Sequence, residues 1–205
     1  MSQENIRIIK KRASIIRKAI NVILFLGVIL SFAALIVSAF LLFASPDKFN
    51  AVKGNLDWSI NYSLTNGSHF FINIPFTLIQ PLNSNMFSAK YAVITSFVII
   101  FLRTALILYG INQVANILKS TANDITPFVL ENVQRLKKLA YSIITYSVAT
   151  DTLSNLLYSV FVTKISSINL SNIHLSGVLI GGLIFVIADI FKYGVFLQQE
   201  FDTTL

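Results

Sequence analysis

Apolar residues run without a charge from position 19 to position 43, AINVILFLGVILSFAALIVSAFLLF. A helix needs about 20 such residues to cross a hydrocarbon core, so the run predicts a membrane span. It also exceeds the roughly 7–15 apolar residues of a secretory leader's core, which predicts an uncleaved helix. Three more apolar runs follow, at about 91–112, 139–162 and 175–197. The last two carry more Ser, Thr and Tyr, as suits faces turned toward neighbouring helices rather than lipid. The pattern predicts an all-α integral membrane protein: four transmembrane helices, an extracellular β-hairpin between the first and second, and a single membrane domain over 1–205.

The long loop at 45–90 alternates in its middle. Leu56, Trp58, Ile60, Tyr62 and Leu64 face one way along one strand, and Phe70, Ile72, Ile74, Phe76 and Leu78 along the next. Asn66-Gly67 between them is a favoured turn pair, so a hairpin is expected, with its apolar face resting on helix ends or the outer lipid interface. Pro75 marks its strand as an edge.

The other loop, 113–138, changes the picture on the opposite side. The second span is expected to continue through Leu118. Thr126 is placed to cap a helix and Pro127 to occupy its first position, where no backbone donor is needed. Val129, Val133, Leu136 and Ala140 then recur near helical spacing, so the third span begins as a helix outside the bilayer.

Composition agrees with a bilayer solvent. The chain is 55% hydrophobic and 12% charged, against about 25% charged in soluble domains. The net charge of +7 does not point to nucleic acid, because its excess is laid out by side. With the N-terminus inside, eleven lysines and arginines fall on the cytoplasmic side and four, Lys48, Lys53, Lys90 and Lys164, outside. That asymmetry predicts a multi-pass protein of the cell membrane with both termini cytoplasmic. The lipid bilayer is thus its first partner, and the basic side attracts anionic lipid.

Two segments resemble a known family when taken together. TPFVLENVQRLKKLAYSII has Pro-Phe, Glu-Asn and Arg-Leu with basic residues leading into a span, and GVFLQQEFDTTL has Gly, Leu-Gln, an acidic residue and Asp-x-Thr. Both resemble domain-of-unknown-function family 2975, small four-span bacterial membrane proteins. The resemblance implies no enzyme activity. It also implies gene neighbourhood with a small helix-turn-helix regulator, hence a regulatory role and a possible cytoplasmic partner. No catalytic residues carry over, and the outer hairpin is not part of the resemblance.

Charged groups inside the spans are the sharpest local feature. Arg103 lies within FVIIFLRTALILYG, and a cation at that depth needs an answer. Counting helical rise from Asn112 and Leu197 puts Arg103 and Asp189 at similar depths, so Asp189 is the favoured partner and Asp151 the second choice. A lock between spans is weighed against a ligand or conformational-switch site and against an ion path. Gly177 and Gly181, with Gly182 adjacent, have small-xxx-small spacing, expected to serve packing within one chain rather than a dimer seam.

Catalytic chemistry has little footing. The chain has no cysteine and two histidines, His69 and His174. It carries no zinc-protease, nucleophile-elbow or phosphate-loop motif. No enzyme activity, cofactor or metal is expected, and no direct binding of nucleic acid. Partner contact is expected on the cytoplasmic side, at Thr126, Pro127, Phe128, Glu131, Asn132, Arg135 and Leu136 and along a C-terminal tail with Gln198, Glu200 and Asp202. One alternative is immunity against a membrane-active peptide through the aromatic hairpin. Another is a small transporter.

Overall fold

The computed structural model describes residues 3–63, 69–79, 87–123, 127–165 and 173–203. Long helices dominate: α1 (Gln3–Leu42), α2 (Ala89–Asn123), α3 (Leu130–Tyr158) and α4 (Leu175–Thr203). A π-helical turn, Ser159–Thr163, extends α3 and ends on Lys164 in the left-handed region, φ 55°. Between α1 and α2 lie β1 (Phe49–Lys53), β2 (Asp57–Ser63) and β3 (His69–Pro75), an antiparallel sheet in the order β1-β2-β3. The expected Asn66-Gly67 turn falls outside the described residues.

Three helices, α1, α2 and α4, are long and apolar enough to cross a membrane. The third expected span, 139–162, corresponds to α3 and its π turn, which fall short of that measure. Ser147, Asp151, Ser154, Asn155, Tyr158 and Ser159 recur at three- and four-residue steps, so one face of α3 is polar. The serine hydroxyls on that face turn back on the helix: Ser147 donates to the Ile143 carbonyl at 2.8 Å and Ser154 to the Thr150 carbonyl at 2.6 Å. Such back-bonding satisfies a hydroxyl without water.

The surface of α1 is inverted relative to a soluble helix. Its buried residues include Ala13, Ser31, Ala34 and Ser38, whereas Phe25, Leu30 and Phe40 are 66–73% exposed. In α4, Leu179, Leu183 and Ile190 are exposed while Ala188 is buried. Contiguous apolar surface of this kind is rare on monomers in water and is what hydrocarbon tolerates, with small residues at the helix contacts.

Contacts divide the chain into two compact units, one of residues 1–29, 104–147 and 174–205, the other of 30–103 and 148–173. In the second unit the sheet supplies the core. Trp58, Ile60 and Ile74 are almost fully buried and cluster with Val93 and Val162. The strands pair Trp58 with Ile74, Ile60 with Ile72 and Tyr62 with Phe70, which keeps the alternating apolar residues on one face. β3 is an edge strand and ends at Pro75. β1 makes the hairpin into a three-stranded sheet.

In the same unit α2 and α3 run antiparallel. Ser96 meets Tyr158, hydroxyl to hydroxyl at 2.9 Å. Seven residues forward along α2 and seven back along α3, Arg103 meets Asp151. In the first unit, the Ser142 hydroxyl donates to the Leu106 carbonyl at 2.9 Å, beside Gly110. Gly177 faces Ser147, and Gly181 faces Ile144 and the Ala140 carbonyl, so both serve contacts of α4 with α3. A Cβ on Gly182 would meet nothing within 4 Å among the described residues beyond its own helix backbone.

Candidate functional site

A polar site lies in the first unit, where α2 ends and α3 begins. Asn116, Lys119, Ser120 and Asn123 of α2 face Val129, Glu131 and Arg135 across a cavity of about 460 Å3. The α2 residues are three, four and seven positions apart, one helical face. Sequence reasoning missed this face, because the stretch reads as the plain continuation of a span and Lys119 as an orientation charge.

Asn132 holds the site together and is fully buried. Its Nδ2 donates to the Ser120 hydroxyl at 3.3 Å and to the Pro127 carbonyl at 2.9 Å. Its Oδ1 accepts from Arg135 Nη1 at 2.7 Å, and the same Nη1 donates to the Asn116 carbonyl at 3.3 Å. One side chain thus joins the end of α2, the turn and the second turn of α3. Lys10 of α1 adds a longer contact, its Nζ 3.5 Å from the Asn123 carbonyl.

These bonds correct two expectations. α3 starts at Leu130, so Pro127 stands before the helix rather than at its first position. The Pro127 carbonyl instead anchors the turn, accepting from the Val129 N–H at 3.1 Å as well as from Asn132. Thr126, the expected cap, lies outside the described residues. The second correction concerns the contact surface. Asn132 is buried and Arg135 and Leu136 partly so, leaving Glu131 and Lys119 as the exposed charges at the cavity.

Phe128 is turned toward α4. Its ring centroid lies 5.1 Å from that of Phe191, and a Cβ placed on Gly194 would sit 2.6 Å from its Cδ1. Val133, Ala188 and Val195 form the adjoining apolar cluster, with Leu136 against it. Helix α4 continues to Thr203, so Gln198 and Glu200 belong to a helix rather than a separate tail. The Asp202 side chain lies outside the described residues.

In the second unit the charge of Arg103 is answered by Asp151, not by the favoured Asp189. Arg103 Nη2 donates to Asp151 Oδ1 at 2.5 Å and to the Ser154 hydroxyl at 3.0 Å. Asp189 is 71% exposed at its side chain and lies 3.7 Å from Lys137. The depth count erred because it began at Asn112, whereas α2 runs on to Asn123. Counted from the observed ends, Arg103 and Asp151 lie 20 and 21 residues from the α2–α3 turn. On the aromatic hairpin face, Trp58 is buried against Phe87, and Phe70, 42% exposed, stacks on Phe97 at 5.8 Å.

A family model described as "Protein of unknown function (DUF2975)" matches residues 75–205. The chain belongs to the DUF2975 family. The DUF2975 match takes in α2, α3 and α4 and leaves out α1, β1, β2 and all of β3 but Pro75. The two DUF2975-like segments of the sequence are the ones that meet at Phe128 and Gly194. No curated protein and no solved structure matches the chain.

Proposed function

We propose that this DUF2975 protein is a non-enzymatic, four-span protein of the bacterial cell membrane that binds a cytoplasmic partner in a regulatory role. Both termini face the cytoplasm in this reading, with α3 as the third span and the sheet outside. The polar face of α3 supports the assignment, because buried, internally bonded hydroxyls lower a helix's hydropathy without barring it from a bundle.

The observation that carries the partner role is the charged cavity at the α2–α3 turn. Lys119 and Glu131 stand exposed there on a base of Asn132 hydrogen bonds. A rigid base presenting opposite charges suits recognition of a polar protein surface better than catalysis. The partner proposed is a small helix-turn-helix regulator, the kind of protein that the family resemblance associates with these chains.

Co-purification from solubilised membranes tests the role. The regulator encoded beside the gene should be retained by the wild-type chain and lost with Lys119→Glu. Absence of the regulator from wild-type preparations contradicts the reading.

A further inference from the structure

The second unit contains a site of another kind, near the boundary between helices and sheet. A cavity of about 330 Å3 is lined by Pro46, Phe49, Trp58, Phe87, Ser88 and Lys90 among others, and none of its described lining residues is acidic. Trp58 is only 2% exposed, yet its indole Nε1 has no hydrogen-bond partner among the described residues. A buried donor left unmade is costly, and a buried Trp N–H usually finds an acceptor.

Lys90 supplies a second donor. Its Nζ donates to the carbonyls of Leu42 and Ala44, both at 2.8 Å. An ammonium has three N–H groups, so one remains. The cavity is therefore lined by a positive charge and by a tryptophan whose buried indole donor is unused among the described residues, beside the ring of Phe49 and the ring of Phe87 stacked on Trp58 at 4.3 Å.

Position decides what fits. α1 ends at Leu42 and α2 begins at Ala89, and both helices are apolar enough to span a membrane. A group beside both ends lies where lipid phosphates lie.

We propose that this cavity binds the phosphate of a phospholipid headgroup, with Trp58 Nε1 and Lys90 Nζ as donors and the Phe49 and Phe87 rings against the glycerol and first acyl carbons. The inference rests on reading α1 and α2 as membrane spans. It adds a lipid site to which β1 and β2, which precede the family-matched residues, contribute Phe49, Ala51 and Trp58.

Trp58 is the only tryptophan of the chain, so its emission reports on the site directly. The full chain in detergent is titrated with a short-chain phosphatidylglycerol, with a diacylglycerol of the same chain length, and with inorganic phosphate. A saturable emission shift is expected with the phospholipid only. Lys90→Gln should weaken it about tenfold, the worth of one charge-assisted hydrogen bond, and Lys90→Arg should restore it. Because Lys90→Gln also frees the end of α1, Trp58→Phe provides a second arm. It keeps an aromatic ring, a smaller one, and removes the N–H, and retained phospholipid in native mass spectrometry should fall.

A shift of equal affinity with inorganic phosphate assigns the site to a soluble anion and overturns the lipid assignment. A shift with diacylglycerol, no shift at all, or unchanged lipid retention in Trp58→Phe overturns the site. Release of the chain from membranes by alkali without detergent would instead overturn the reading of α1 and α2 as spans.

Discussion

The ring of Phe128 occupies the space in which a side chain at residue 194 would begin. A Cβ on Gly194 would lie 2.6, 2.9 and 3.1 Å from three of its ring atoms. Gly194→Ala should therefore lower the melting temperature, although alanine favours a helix by about 1 kcal/mol over glycine. Overpacking of this kind costs roughly 1–3 kcal/mol. Phe128→Leu should recover part of the loss in the double variant. Gly182→Ala, with nothing within 4 Å, should be neutral or stabilising. Thermal unfolding in detergent measures all three.

The Arg103–Asp151 pair makes a second prediction. Removing one member of a buried pair costs roughly 3–5 kcal/mol. Arg103 and Asp151 retain 31% and 18% side-chain exposure, which places Arg103→Ala and Asp151→Ala at the low end of that range. Exchanging the two residues should restore folded yield lost in either single variant. Asp189→Asn should change stability by no more than about 0.5 kcal/mol, since an exposed pair contributes little. Yield by fluorescence-detected gel filtration separates these outcomes.

At the α2–α3 turn, structure and recognition should separate by residue. Asn132→Ala leaves the Pro127 carbonyl and Arg135 short of a partner and should cost about 1–3 kcal/mol. Lys119→Glu reverses an exposed charge and should leave melting unchanged while abolishing association with the regulator. Melting curves beside co-purification check both. A fall in stability with Lys119→Glu would mean that the cavity is structural.

Much of this arrangement is legible in the sequence. The alternation of Trp58, Ile60 and Tyr62 against Phe70, Ile72 and Ile74 assigned these residues to one face of the β2–β3 pair, because a strand's side chains repeat every second residue. β1 was not legible. FNAVK has five residues with Phe49 and Ala51 on one face, too short a pattern to stand out. The apolar runs located α1, α2 and α4, and α3 with less contrast because its inner face is hydroxylated. The partner of Arg103 was misjudged, since a sequence shows where apolarity ends but not where a helix does. Asn132 was placed in the right stretch but on the surface, because its bonds to Ser120 and Pro127 depend on how the chain turns.

The most direct test of the account is the side of the membrane on which α4 ends. Three spans would place the two termini on opposite sides, and four place them together. The chain has no native cysteine, so single cysteines at Val52, Lys164 and Gln199, all exposed, can be probed with a membrane-impermeant maleimide. The account predicts labelling of Val52→Cys and Lys164→Cys in intact cells, with Gln199→Cys labelled only after permeabilisation. Labelling of Gln199→Cys in intact cells would contradict it.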